Sequence, residues 1–436
     1  MNRTLLRGAT IVSMAPGRPD AERADLLVED GRVARIGERL DSAGADLVDL
    51  TGRIVIPGLV NAHLHTWQTG LRAVGTNWTL MQYLGHMHGG GAERFSPDDL
   101  HIATLAGALN QIDCGTTTLG DWCHNSLTPE HADAGVAGLT RSGIRAVFFH
   151  GTPYRDPEEP HPLTEIDRLL HGPIEAASLL TLGMAVQGPQ YCYPDTAVAD
   201  LRAAAERGLV ASFHQSGGEP EGGWEAVRDA GLFGPLVNIV HGSDMPDAWV
   251  GTLVDAGATF TSTPENELGQ GHGTPVIDAL LRHGGAPSLG TDVDSVAPGT
   301  LFTAARIALA HQRGLDHAKH LDIGMPALMN AVTAKQALAW ATVAGAKALG
   351  LDDRVGHLDA GMQADLVAID ARGLNLWPAH DPVAAALHAD IANVEAVMIA
   401  GRWRKRDHRL LHSGLDDIKE RLRASGERLV QTVLEE

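Results

Sequence analysis

The sequence predicts an α/β protein: a (β/α)8 TIM-like barrel, with a small β-sandwich domain formed from both chain ends. Three observations carry this expectation. Short apolar runs recur through the middle of the chain, most of them closing on a polar or titratable residue. Stretches with room for a helix separate them, as at 97–111, 196–207 and 245–255. The two chain ends instead share short strands joined by turns. Repeated strand–helix units describe a barrel, and barrels assemble chemistry at the C-terminal ends of their strands. An open doubly wound sheet is the competing arrangement, but no GxGxxG follows a strand to support it.

At the N-terminus, the run 5–13 is β-rich, and 25–29 and 33–36 flank Asp30-Gly31, a hairpin signal. This segment is too small to bury a core alone. Runs 364–369 and 394–399 offer partner strands, so 1–56 plus 361–410 are expected to form one composite β-sandwich domain. Residues 57–360 are expected to form the barrel. The stretch 411–436, with helical spacing and alternating charge, reads as a helical tail. The first barrel run leads into His63. The others are 116–120, 144–149, 183–186, 209–213, 237–240, 258–261 and 286–290.

Composition narrows the function classes. The 436 residues are 44% apolar and 20% charged, ordinary for a soluble protein. A net charge of −20 repels phosphate backbones, which argues against nucleic acid. No apolar run approaches the ~20 residues of a membrane span. The N-terminal stretch is broken at Arg7-Gly8 and reads as a strand, not a signal peptide. Three cysteines without a CxxC suggest a reducing, cytoplasmic setting.

The stretch 54–72, IVIPGLVNAHLHTWQTGLR, carries the chemistry. Residues two apart on a strand share a face, so His63 and His65 project together. Two imidazoles at a strand end are half of a zinc or iron site, although with 22 histidines they could also be surface residues. His214 and His241 each close an apolar run, and Asp292 follows another. Singly these are weak signals. Taken together, three imidazoles and a carboxylate suit Zn²⁺ or Fe²⁺ with room for a water, whose pKa the metal lowers towards ~7. Asp292 could then take the water's proton.

The chain resembles the amidohydrolase superfamily, in the branch of cytosine, guanine and S-adenosylhomocysteine deaminases and triazine hydrolases. The matching motifs are PGLVNAHLH at 57–65, CGTTT at 114–118, LGTD at 289–292, GMQADLV at 361–367 and VMIAGR at 397–402. The resemblance implies one divalent transition metal, zinc first and iron second, held by His63, His65, His214 and Asp292. It also implies that His241 faces the water or the substrate. One position departs from the pattern. Those deaminases carry a Glu three residues after the fifth-strand His, where this chain has Gly217. Glu265, after the seventh strand, is the expected replacement acid, and Glu219 the reserve.

Gln68, Arg72, Trp78, Gln187 and His272 are candidate substrate contacts. Trp67, His86, His88 and Asp121 are further positions near strand ends or in Gly-rich loops. The function expected is hydrolysis of a non-peptide C–N bond, as a deaminase of a small planar N-heterocycle, with His241, Asp292 and Glu265 catalytic. Hydrolysis of a cyclic amide, carbamate or C–halogen bond is the alternative on the same scaffold. A non-catalytic metal-containing binding protein is the alternative from another class. The expected partners are a small-molecule substrate and further copies of the chain, as a dimer or larger homo-oligomer suggested by the relatives.

Overall fold

Eight parallel strands follow one another around a barrel in the computed structural model, which describes residues 3–153, 155–216 and 222–434. Barrel strands 1 to 4 are Leu59–Leu64, Thr116–Cys123, Arg145–His150 and Leu180–Ala185. Strands 5 to 8 are Val210–Ser216, Val237–Ser243, Thr259–Ser262 and Ser288–Leu289. Each pairs in parallel with its sequence neighbour, and a parallel bridge between Leu64 and Asp292 joins strand 1 to the segment after strand 8. The strands are buried on both faces, which is why they read in sequence as continuous apolar runs, not alternating ones.

The barrel interior is packed, not hollow. Val60, Ala62, Val147, Phe149, Ala185 and Val210 fill its lower part together with Ala346, Leu349 and Leu351, which follow or lie in the helix Val343–Ala348. The turn leading into that helix meets strand 1 at the N-terminal end, where Val60 N–H donates to Ala341 O at 2.9 Å. Solvent access is therefore left to the C-terminal end.

A separate sheet of nine described strands is drawn from both chain ends. Strand Arg53–Pro57 pairs in parallel with Arg3–Ile11 on one side and antiparallel with Leu366–Asp370 on the other. Leu6, Ile11, Leu26, Val55, Leu366, Ala368 and Met398 share one core, so neither end buries its apolar face without the other. The helix Leu415–Leu434 crosses back over the first barrel loop, with Ile418, Leu429 and Val433 buried. Among the described residues no helix is long and apolar enough to cross a membrane.

A buried ion pair ties sheet to barrel. Arg145, opening barrel strand 3, donates from Nε to Asp365 Oδ2 at 2.7 Å and from an Nη to Oδ1 at 3.1 Å. Asp365 Oδ1 also accepts from Ala400 N–H at 2.7 Å. Removing one partner of such a pair leaves a buried charge uncompensated, which typically costs ~3–5 kcal/mol. Asp365→Ala should therefore lower the denaturant midpoint by an amount equivalent to several kcal/mol. A variant as stable as the parent would mean that the pair does not couple the two units.

Candidate active site

Four ligand atoms converge at the C-terminal mouth of the barrel. His63, His65, His214 and Asp292 each present one, all within 4.8 Å of one another. His63 Nε2 lies 3.1 Å from His65 Nε2, 3.2 Å from His214 Nε2 and 3.3 Å from Asp292 Oδ1. His65 Nε2 lies 3.5 Å from Asp292 Oδ1. A single imidazole N–H can satisfy only one such neighbour, so hydrogen bonding among the three rings cannot account for the arrangement. A shared cation can, because tetrahedral ligands at ~2.1 Å from zinc lie about 3.4 Å apart.

Their neighbours keep these rings in a ligating form. His65 Nδ1 donates to Trp122 O at 2.6 Å, leaving the Nε2 lone pair free. Burial and adjacent imidazoles hold His65 and His214 well below the ordinary histidine range, so both are neutral. Burial also lowers His63. Burial would raise Asp292, but the hydrogen bond from His63 and the surrounding imidazoles hold it far below the usual carboxylate range.

Local backbone explains the placement. His63 and His65 lie at the end of strand 1, with Leu64 packed on the opposite face. Gly290 lets strand 8 approach closely: a Cβ there would come within 2.6 Å of His63 O. Asp292 (φ +59°) and His241 (φ +67°) are both left-handed, a conformation that non-glycine residues adopt at a cost and that clusters at functional sites.

His241 stands beside the cluster, with its ring centroid 5.5 Å from His214 and 6.1 Å from His63. Its Nδ1 lies 3.3 Å from Glu267 Oε1 and 3.1 Å from Thr263 Oγ1. Glu267 is fully buried and also accepts from Ser262 Oγ and from Thr263 N–H, both at 2.7 Å. Burial would lower His241, but the Glu267 hydrogen bond and the Asp292 charge outweigh it and raise its pKa.

The acid expected at Glu265 lies two residues before the carboxylate that meets His241. Pro264–Gln270 is a helix with Thr263 at its N-cap position and Glu265 in its first turn. Glu265 is half-buried, raised by that burial, and makes no hydrogen bond to a described residue; its Oε2 lies against Gly299 in the loop after strand 8. Two residues further on, the helix folds Glu267 back onto its own N-terminus and against His241. A Thr-Pro helix start followed by Glu at the fourth helical position was the available signal. Gly217 and Glu219 lie outside the described residues.

Of the expected substrate contacts, His272 reaches the cluster. Its ring is 4.6 Å from His241, its Nδ1 lies 3.3 Å from Ser216 Oγ, and its Nε2 lies 3.2 Å from Gln270 Oε1. Gln187 donates to Arg155 O at 2.8 Å, near the mouth of strand 4. The other three are engaged elsewhere. Gln68 is fully buried, donating to Tyr83 Oη at 2.6 Å and accepting from Ser295 Oγ at 2.5 Å. Arg72 pairs with the buried Asp294 at 3.2 Å, and Trp78 stacks on His86. Asp121 points out of the barrel, accepting from Thr66 Oγ1 at 2.7 Å, and so braces the residue after His65. Trp67 is buried against Phe95 and His124.

Two residues in the site carried no signal because strand 2 runs three residues past its expected end at 120. Trp122 thereby points inward, its ring 4.3 Å from His214 and its Nε1–H donating to Ser212 Oγ at 3.0 Å. His124 follows, with its ring 4.3 Å from His65 and its Nε2 3.1 Å from His88 Nε2.

Residues 54–404 match the model of the amidohydrolase family. The chain belongs to that family. A 5-methylthioadenosine/S-adenosylhomocysteine deaminase of Symbiobacterium thermophilum is 29% identical over 99% of this chain and 100% of its own length. A 5'-deoxyadenosine deaminase of Methanosarcina mazei is 26% identical over 98% of this chain and 99% of its own. Among solved structures, a zinc-bound adenosine deaminase from Xanthomonas campestris superposes with a TM-score of 0.83 at 21% identity, covering 98% of each chain. A triazine hydrolase variant reaches 0.83 at 21% identity over 99% and 100%; at these identities the likeness shows the fold. This amidohydrolase is a hydrolase, and its four converging ligand atoms are those of a metal-binding site.

Purified amidohydrolase should carry about one equivalent of a divalent transition metal, the stoichiometry of a single four-ligand site. His63→Ala and Asp292→Ala should each lose both metal and turnover, measured by elemental analysis on folded protein. Full metal content in either variant would place the metal elsewhere.

Proposed function

We propose that this amidohydrolase removes the exocyclic amine of a 6-aminopurine nucleoside, with water as co-substrate and ammonia as product. The convergence of His63, His65, His214 and Asp292 beside the His241–Glu267 pair carries this reading. Full-length similarity to enzymes named for adenosine derivatives supports the substrate class. Zinc is the metal of choice, since three imidazoles and one carboxylate with an open position suit a catalytic zinc site. Three free cysteines, two of them buried, accord with a cytoplasmic enzyme.

When bound, such a metal polarises the reacting carbon's substituent and brings a water to near-neutral pKa. The chain's own groups then manage protons. His241 Nδ1 is held by Glu267, which orients the ring and leaves Nε2 as the nitrogen that exchanges protons with the substrate. Nε2 takes the proton from the attacking water, and Glu267 and Asp292 stabilise the imidazolium. The same Nε2–H then protonates the departing amine, so one side chain serves as base and acid. Asp292, kept ionised by its surroundings, accepts the water's second proton, which ends on ring N1 of the product as the C6 carbonyl forms and the carboxylate is restored. Glu267 acts as a positioning residue, the role a carboxylate behind a histidine commonly fills.

The direct test is ammonia release on a panel of adenosine, 5'-deoxyadenosine, 5'-methylthioadenosine, guanine, cytosine and a chlorotriazine. Turnover confined to the adenosine derivatives is expected. Turnover confined to the triazine, with chloride release, would replace the proposal by dehalogenation.

Glu267→Gln should keep its metal and lose ~10–100-fold in kcat, the usual range for such partners. Its His241 should titrate at lower pH than in the parent, because the anion that raises it is gone. Glu265→Gln should stay within about threefold of the parent. A loss of ~10²-fold or more in Glu265→Gln, the scale of a removed general acid, would return the acid role to that residue.

A further inference from the structure

We propose that His88 and His124 form the substrate-binding wall on the His65 side of the site, holding an uncharged hydrogen-bonding group of the substrate. We further propose that the C-terminal helix Leu415–Leu434 keeps His88 in place. The proposal rests on the deaminase reading for the identity of the substrate, but not for the structural coupling.

The two rings face each other at the mouth. His88 Nε2 and His124 Nε2 are 3.1 Å apart, and the His124 ring lies tilted, 4.3 Å from that of His65. A contact of that length requires one nitrogen to carry a proton and the other to accept it. His124 thereby fixes the tautomer of His88, whose Nδ1 is left as a single hydrogen-bonding atom for the substrate. His124 Nδ1 is enclosed on the Trp122 carbonyl side, whereas His88 Nδ1 bonds to no described residue. Aromatic neighbours hold the rings still: Trp122 lies 5.2 Å and Trp67 5.3 Å from His124, and Tyr83 lies 5.6 Å from His88. Both residues are only partly buried, unlike Trp67, Tyr83 and Trp122 around them, which places the pair at the opening. Two converging nitrogens fall short of the donors a divalent metal needs. A single neutral ring nitrogen matches a hydroxyl, or one ring nitrogen of a heterocycle, better than an anion.

His88 sits in one wide helical turn, Met87–Gly91, that includes Gly90 at φ +143°. The C-terminal helix grips this turn from outside. His86 Nδ1 donates to Val433 O at 3.1 Å, and a Cβ on Gly91 would lie 3.2 Å from Val433 Cγ2. Further back, Gly426 meets Gly70 so closely that a Cβ would fall 2.3 Å from Gly70 O. Ser425 Oγ donates to Asp99 Oδ1 at 2.6 Å, and Arg428 pairs with the same carboxylate. The helix is thus fastened at Asp99 and Gly70 and ends on the turn that delivers His88.

The test compares His88→Ala, a chain ending at Ser413, and both changes together. Each single change should raise KM about tenfold, the effect of one lost hydrogen bond, with kcat within about threefold and metal content unchanged. The combination should raise KM no further, because both act through His88. Hydrogen exchange of residues 80–94 should speed up in the shortened chain while 59–66 stay protected, a readout that needs no substrate. If the shortened chain does not fold, Val433→Ala, which removes the contact at Gly91, takes its place. Comparing 5'-deoxyadenosine with its 2',3'-dideoxy analogue assigns the held group: a KM penalty that vanishes with the analogue names the sugar hydroxyls, and one that persists names the ring. An unchanged KM in His88→Ala, additive penalties, or loss of a second metal equivalent would overturn the proposal. Should no nucleoside turn over in the parent enzyme, the deaminase reading fails, while the exchange result still decides the coupling.

Discussion

The seam where the barrel closes is the constraint on which the rest depends. Strand 8 is only two residues long, so strand 1 is joined mainly to the residues after it. Thr291 and Asp292 N–H donate to His63 O at 3.1 and 3.0 Å, and His65 N–H donates to Asp292 O at 2.8 Å. Asn61 stitches the same joint, donating to Thr291 Oγ1 at 2.7 Å and to Gln111 Oε1 at 3.1 Å. Asp292 can make both backbone contacts because it adopts φ +59°. The two histidines and the aspartate that converge on the candidate metal are therefore the residues whose backbones close the barrel. Closure and ligand geometry are one structural requirement.

Placed on that seam, the site draws its electrostatics from depth. Imidazoles buried together cannot all be charged, so His65 and His214 stay neutral and available as ligands, while Asp292 stays ionised among them. His241 departs from its neighbours: a fully buried carboxylate behind it reverses the effect of burial. Within a few ångströms the fold therefore provides neutral ligands and a histidine poised to carry a proton. The separation follows from where one carboxylate, Glu267, is folded back.

Much of the fold was legible because parallel strands buried on both faces appear as apolar runs and because the chain ends lacked partners of their own. His63, His65, His214, His241 and Asp292 were each visible as polar residues closing such runs. What was not legible lay one turn or a few residues further on. Strand 2 extends past Gly120, so Trp122 and His124 gained their positions from strand length, which apolar content does not set. Glu267 drew no notice because the turn of the helix Pro264–Gln270, which folds it back against His241, has no signature at the strand end itself. Gln68 and Arg72 follow the HxH closely in sequence, but their polar groups are taken up by Tyr83, Ser295 and Asp294, partners distant in the chain. Side-chain pairing of that kind has no local signature.

If closure and metal binding are one requirement, metal removal should loosen the seam before anything else. A ligand that binds only the folded site stabilises it by mass action, and the gain concentrates where its ligands lie. The direct measurement is hydrogen exchange of the metal-loaded enzyme and of the same enzyme after chelation. Faster exchange in 59–66 and 288–294, with the sheet strands Arg3–Ile11 and Leu366–Asp370 unchanged, is the result this account predicts. Unchanged exchange at the seam, or uniform loosening of barrel and outer sheet alike, would contradict it.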